Sequence, residues 1–249
     1  MTTTSVHTPN GLRLTHHRLR TGEDLRVCAA VDREVALILI SGELTATVDG
    51  ERHVVDRIDP FTAPAAGWLV PPGAALTVAG GRSAADVGVI SSPAPATREP
   101  ARITPITVPE PEVRGRGSWE RHVTTLLQPP QTCGVLLGET LAHDGRWSTY
   151  PPHRHQLSDP PHETALQEAF LFRVRPDTGF GIFLTYDGSV RDAHTEIVTD
   201  GMLAAVPKGY HTVAVAGGHD IYYLWAAHGS ADNHFALRTD PAHEWLLDR

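Results

Sequence analysis

The chain has 249 residues, a net charge of −8 and a pI near 6.0, with 41% apolar and 20% charged residues. That length holds one large domain or two of about 120 residues, and an acidic chain without a basic stripe argues against a nucleic-acid partner. The longest apolar stretch, residues 35–40, is too short to cross a bilayer, and the opening MTTTSVHTPNGLRL has no basic start followed by an apolar run. A cytoplasmic location is the expectation, with Cys28 and Cys133 as buried free thiols.

Along the chain, Gly and Pro cut the sequence into short β-branched, apolar segments. Strands are predicted at 35–40, 44–48, 68–70, 76–78 and 87–90, and again at 134–137, 169–174, 180–185, 203–206, 212–215 and 221–225. Turn pairs such as Asp49-Gly50, Pro72-Gly73, Asp187-Gly188, Asp200-Gly201 and Gly217-Gly218 separate them. Helix is expected only as a turn or two, at 164–168 and near the C-terminus. Residues 91–112 are rich in Pro and predict an extended connection. On either side a pattern recurs: GWLVPPGAALTVAGG in the first half, DGMLAAVPKGYHTVAVAGG in the second. The prediction is an all-β protein of two tandem barrels, 1–112 without metal ligands and 113–249 with them.

The chemistry concentrates in the second half. In Pro151-Pro152-His153-Arg154-His155 an extended strand projects both histidines to one face. Glu168 begins an otherwise apolar strand, and His211 follows the turn Pro207-Lys208-Gly209-Tyr210. His-x-His, then Glu, then Gly-x5-Pro-x-Gly-x-His resembles the two sequence motifs of the cupin superfamily of double-stranded β-helix (jelly-roll) barrels, with a loop between His155 and Glu168 longer than usual. Three neutral imidazoles and one carboxylate would leave one bound divalent cation with open positions, as a Lewis acid needs.

The wider context is more specific. Trp147-Ser148-Thr149-Tyr150-Pro151-Pro152, Val206-Pro207-Lys208-Gly209-Tyr210-His211, Asp220-Ile221-Tyr222-Tyr223-Leu224 and Asp240-Pro241-Ala242-His243-Glu244-Trp245 resemble the 5-deoxy-glucuronate isomerase family of inositol catabolism. So do Arg114-Gly115-Arg116-Gly117, Arg121-His122-Val123 and Leu137-Gly138-Glu139. The resemblance is strong from about residue 114 and faint before it. It implies a bicupin with a zinc-type site, Mn2+, Fe2+ and Ni2+ remaining open. It implies an aldose–ketose isomerase converting 5-deoxy-glucuronate to 5-dehydro-2-deoxy-gluconate. Proton-transfer candidates are Tyr150, Tyr186, Tyr222, Tyr223, Glu139 and Lys208; Lys208, Arg121 or Arg173 could attract the substrate carboxylate.

The sequence departs from that family where the substrate pocket is expected. Phe170 stands where members carry a tyrosine, Phe172 where they carry a histidine or tyrosine. Phe183 and Leu184 replace a glutamine–arginine pair, Gln156 an aspartate, and Trp225 an asparagine. Burying a sugar hydroxyl without a partner costs about 1–3 kcal/mol, so a less hydroxylated substrate is an alternative expectation. With iron, nickel or manganese bound, oxygenase or lyase chemistry is another, and a non-catalytic ligand-binding cupin a third. The partner in each case is a small molecule, with a homo-oligomer open.

Overall fold

The computed structural model describes residues 1–95, 102–229 and 235–248. Its first strands are β1 (Thr2–His7), β2 (Arg13–Leu19), β3 (Asp24–Cys28), β4 (Arg33–Val48), β5 (Glu51–Arg57), β6 (Ala66–Val70), β7 (Ala75–Gly80), β8 (Ala85–Pro93) and β9 (Thr104–Pro105). They run in the order β1-β2-β8-β4-β6-β9, while β5 and β7 also pair with β4 and β3 pairs with β7. The strands that follow are β10 (Glu112–Arg114), β11 (Arg121–Leu127), β12 (Val135–His143), β13 (Trp147–Arg154), β14 (Leu166–Arg175), β15 (Gly181–Tyr186), β16 (His194–Val198), β17 (Leu203–Val206), β18 (Tyr210–Val215), β19 (Asp220–Gly229) and β20 (Arg238–Thr239). They make two sheets, β10-β11-β12-β19-β14-β17 and β16-β15-β18-β13-β20.

The two halves share one wiring. The path β2-β8-β4-β6 in the first half recurs as β12-β19-β14-β17 in the second, and β5-β4-β7-β3 recurs as β16-β15-β18-β13. This is an all-β bicupin. The halves differ in one strand. Residues 35–40 and 44–48, expected as separate strands, form the single strand β4, which serves both sheets. Gly42 permits this: its φ is +99°, and a Cβ there would stand 2.1 Å from the Ala84 carbonyl oxygen. In the second half the same course is divided into β14 and β15.

The helix expected at 164–168 is absent. Leu166 already pairs with Gly229 in the sheet, and its N–H donates to the His155 carbonyl at 2.7 Å. Sheet pairing has overridden local preference. A single 3-10 turn, Glu244–Leu246, fulfils the C-terminal expectation, and two others lie at Gly117–Trp119 and Val190–Asp192. Within the Pro-rich stretch, 96–101 lies outside the described residues; Pro105 sits on the short edge strand β9. Neither cysteine is in a disulfide, and neither is fully buried as expected: Cys133 is half-buried and Cys28 is exposed, because it alternates outward on β3. Among the described residues no helix is long and apolar enough to cross a membrane.

Two kinds of contact join the halves. Leu14, Ile38, Ile40 and Ile90 pack against Leu137, Leu171, Tyr222 and Leu224 in one apolar cluster. Polar ties reinforce it: Arg57 meets Glu139 at 2.7 and 3.0 Å, and Arg173 meets Asp86 at 3.1 Å.

Candidate metal centre

Four side chains meet at one end of the second barrel. β13 and β18 pair so that His153 stands opposite His211, with ring centroids 4.9 Å apart. His155 lies just beyond β13, and Glu168 is the third residue of β14. The ligand atoms of His155, Glu168 and His211 lie within 4.8 Å of one another, all three residues buried. His153 flanks this trio on the same face. Gly209 makes the turn before His211 workable: its φ is +91°, and a Cβ would come within 2.7 Å of the Tyr186 carbonyl oxygen.

Hydrogen bonding sets the ring orientations. His155 Nδ1 donates to the Leu166 carbonyl at 3.0 Å, which turns Nε2 toward Glu168 Oε2, also 3.0 Å away. His211 is 0% exposed; its Nε2 is 3.3 Å from the same carboxylate oxygen, yet neither ring nitrogen makes a hydrogen bond. A buried imidazole with both nitrogens unpartnered is costly in a folded protein. Burial lowers the pKa of His211, and that of His153 to well below 6.5. Burial works against the Glu168 charge, but the hydrogen bond from His155 and the proximity of the His155 and His211 rings hold its carboxyl at about 2. For His155 burial lowers the pKa and Glu168 reverses it, leaving a net rise. The rings of His153 and His211, kept neutral by burial, together with His155 and the ionised Glu168 carboxylate offer a donor set able to hold a divalent cation, and a cation would satisfy the orphaned His211.

A cavity of about 70 Å³ opens beside this cluster, lined by Arg114, Arg121, Val123, Thr140, Thr149, His153, Glu168, Phe170, Tyr223, Trp225, Phe235 and Leu237. Of the predicted proton-transfer residues, Tyr223 alone lines it. Its hydroxyl lies 2.6 Å from Ser148 Oγ and 3.0 Å from Thr149 Oγ1. Tyr222, next in sequence, points to the opposite face of β19, where it donates to Glu139 at 2.5 Å, close under Arg57. Those three residues line a separate cavity of about 330 Å³ between the halves. Tyr186 donates to Asp240 at 2.6 Å, Tyr150 packs among Trp119, Trp147 and His243, and exposed Lys208 pairs with Asp187.

Arg121 lines the metal-side cavity, whereas Arg173 is held between Asp200 and Asp86. Phe170 and Trp225 form its apolar wall. Phe172 and Phe183 stand behind Phe170, with ring centroids 5.7 and 5.4 Å from it. Ser148 and Thr149 belong to a motif of the family resemblance, but the sequence reading did not single them out as site residues. The signal lies in the backbone: Thr149 has φ +54°, a conformation β-branched residues avoid and functional sites tolerate.

The sequence profile of the KduI/IolB family matches residues 2–246. The 5-deoxy-glucuronate isomerase of Geobacillus thermodenitrificans is 31% identical over 241 residues, covering 93% of this chain and 85% of that protein. That of Lacticaseibacillus casei is 31% identical, covering 87% and 80%. Among solved structures, an IolB-like protein of Salmonella typhimurium superposes with a TM-score of 0.85 at 25% identity, over 95% of this chain and 90% of that one. Bacillus subtilis oxalate decarboxylase shares the fold at 12% identity and a TM-score of 0.62, over 95% of this chain and 74% of that one.

Proposed function

The chain belongs to the KduI/IolB family, and on that premise we propose that it is a metal-dependent aldose–ketose isomerase of a deoxy-uronate such as 5-deoxy-glucuronate. The observation that carries the reading is the orphaned His211 beside His155 and Glu168. We assign His153, His155, Glu168 and His211 as ligands of one divalent cation, zinc by the family resemblance, in a catalytic half at 113–249. The half at 1–112 serves as a scaffold.

A cation there would polarise a carbonyl and the adjacent hydroxyl and so acidify the hydrogen on the carbon between. The chain's own groups do the rest. Tyr223, steadied by Ser148 and Thr149, is the group placed to carry a proton between neighbouring substrate carbons. Phe170 and Trp225 keep water from the reacting face. Tyr186, Tyr222, Glu139 and Lys208 have partners elsewhere and take no part.

Incubating metal-loaded protein with 5-deoxy-glucuronate in deuterated water tests this by NMR. Ketose should form with deuterium entering next to the carbonyl. Turnover that is unchanged after chelation overturns the metal assignment, and absence of ketose overturns the reaction. A second reading rests on Phe170 and Trp225: the substrate carries fewer hydroxyls than 5-deoxy-glucuronate. It predicts faster turnover of more deoxygenated acids in the same assay.

A further inference from the structure

Two arginines packed between the halves are answered by acids, whereas half-buried Arg33, which lines none of the cavities described, is held by Ser91 Oγ and the Gly11 and Ser91 carbonyls. Arg57 meets Glu139, and Arg173 meets Asp200 at 2.7 Å and Asp86 at 3.1 Å. In both, burial lowers the pKa and the neighbouring acids more than restore it. Arg121 differs. It is half-buried, it lines the cavity beside the histidine cluster, and among the described residues no carboxylate pairs with it. Its hydrogen bonds run from Nη1 to two neutral carbonyls, Tyr150 at 3.0 Å and Trp119 at 3.4 Å. Burial depresses its pKa; the nearby Tyr223 hydroxyl works against that, and the positive charge of Arg114 adds to it.

The position is built. The guanidinium lies over the Trp119 ring, 5.9 Å from its centroid. Gly115, at φ +78°, passes so close that a Cβ would come within 2.9 Å of Nη1. With Nη1 tethered, the Nε–Nη2 edge remains, and that edge matches two carboxylate oxygens. The other cation on the cavity wall, Arg114, is engaged by Glu112 at 2.8 Å. A held cation with neutral partners beside an open cavity lacks an anion.

We propose that Arg121 receives the carboxylate of the substrate and so makes this pocket specific for acids over neutral sugars. It orients the acid with its hydroxy-carbonyl end toward His153 and Glu168, across the Phe170–Trp225 wall. The orientation rests on the isomerase reading; the carboxylate contact does not.

Two measurements on the metal-loaded full chain separate them. The first is binding of D-glucuronate against D-glucose to wild type, Arg121→Lys and Arg121→Gln, by NMR titration. Wild type should prefer the acid, Arg121→Gln should weaken glucuronate binding on the order of 100-fold with glucose unchanged, and Arg121→Lys should fall between. Glucuronate binding equal in wild type and Arg121→Gln, or a wild type that does not prefer the acid, overturns the proposal. The second is turnover of 5-deoxy-glucuronate against 5-deoxy-glucose. Arg121→Gln should reduce kcat/KM for the acid alone; an equal loss on both sugars marks a structural role and overturns it. If wild type turns over neither sugar while the binding preference holds, the reaction is wrong and the carboxylate contact stands.

Discussion

The two barrels share their strand order and differ in what fills them. In the first, Leu37, Leu39, Trp68, Val70, Val78 and Val87 form a continuous apolar interior. In the second, Phe170, Phe172, Phe183, Val213 and Tyr223 fill one part, and the histidines with Glu168 occupy the other. The first barrel, among its described residues, closes round that apolar interior without a buried histidine–glutamate cluster. The polar cluster in the second is therefore no requirement of folding. It is retained against a burial penalty, which is what a binding site looks like in energetic terms.

The sharpest way to break that contrast is to make the second barrel resemble the first. His211→Leu should remove bound metal and lower turnover about a thousandfold or more. It should also raise the stability of the metal-free protein by about 1–3 kcal/mol, because an orphaned imidazole is replaced by an apolar side chain. Elemental analysis, turnover and denaturant melts read the three effects. A metal-free protein that loses stability instead would mean that the cluster is structural.

The seam between the barrels should respond in the opposite sense. Glu139→Leu leaves Arg57, 2% exposed, without its carboxylate and should destabilise the fold by about 3–5 kcal/mol. Turnover by the remaining folded protein should stay within about threefold, since Tyr222 and Glu139 face away from the histidines. A large fall in kcat would join the seam to the chemistry.

Acid should discriminate between the barrels as well. His153 and His211 have folded pKa values below the ordinary 6.5, so below that pH the unfolded chain binds more protons than the folded one. Metal-free protein should therefore lose stability as pH falls from 6.5, by up to about 1.4 kcal/mol per pH unit per histidine. The raised pKa of His155 works the other way, adding stability as pH falls toward 6.5 and changing little below it. Glu168, held at about 2 against an ordinary 4.5, adds a further loss as pH falls from 4.5 toward 2. His153→Gln should flatten the decline just below pH 6.5 in melts across pH; an unchanged slope would refute the assignment. Least affected of all should be Lys208→Ala, whose exposed pairing with Asp187 predicts a kcat/KM within about twofold of wild type.

Much of this was legible in one dimension. Strand alternation puts His153 and His155 on one face and a tight glycine turn precedes His211, while the joining of these with Glu168 into one set came from resemblance to the cupin motifs. The all-β class and the duplicated pattern follow from short apolar segments between turn pairs. The joined strand β4 could not be read, because Gly42 works through its approach to Ala84, forty-two residues on.

What the sequence by itself determined about this protein is its all-β class, its duplicated pattern and, with the motif resemblance, the candidate residues of the histidine–glutamate cluster. Each depends on spacing within a strand or a turn, which the backbone imposes locally. What only the tertiary structure decided is which polar residues serve that cluster. Tyr222 and Tyr223 are adjacent, and alternation gives them opposite faces but does not say which face holds the histidines. Nothing in the sequence separates Arg121 from Arg173; in the fold Asp200 and, from the other barrel, Asp86 neutralise Arg173, while Arg121 is left beside the cavity. Those assignments depend on contacts between distant segments, and only packing creates them.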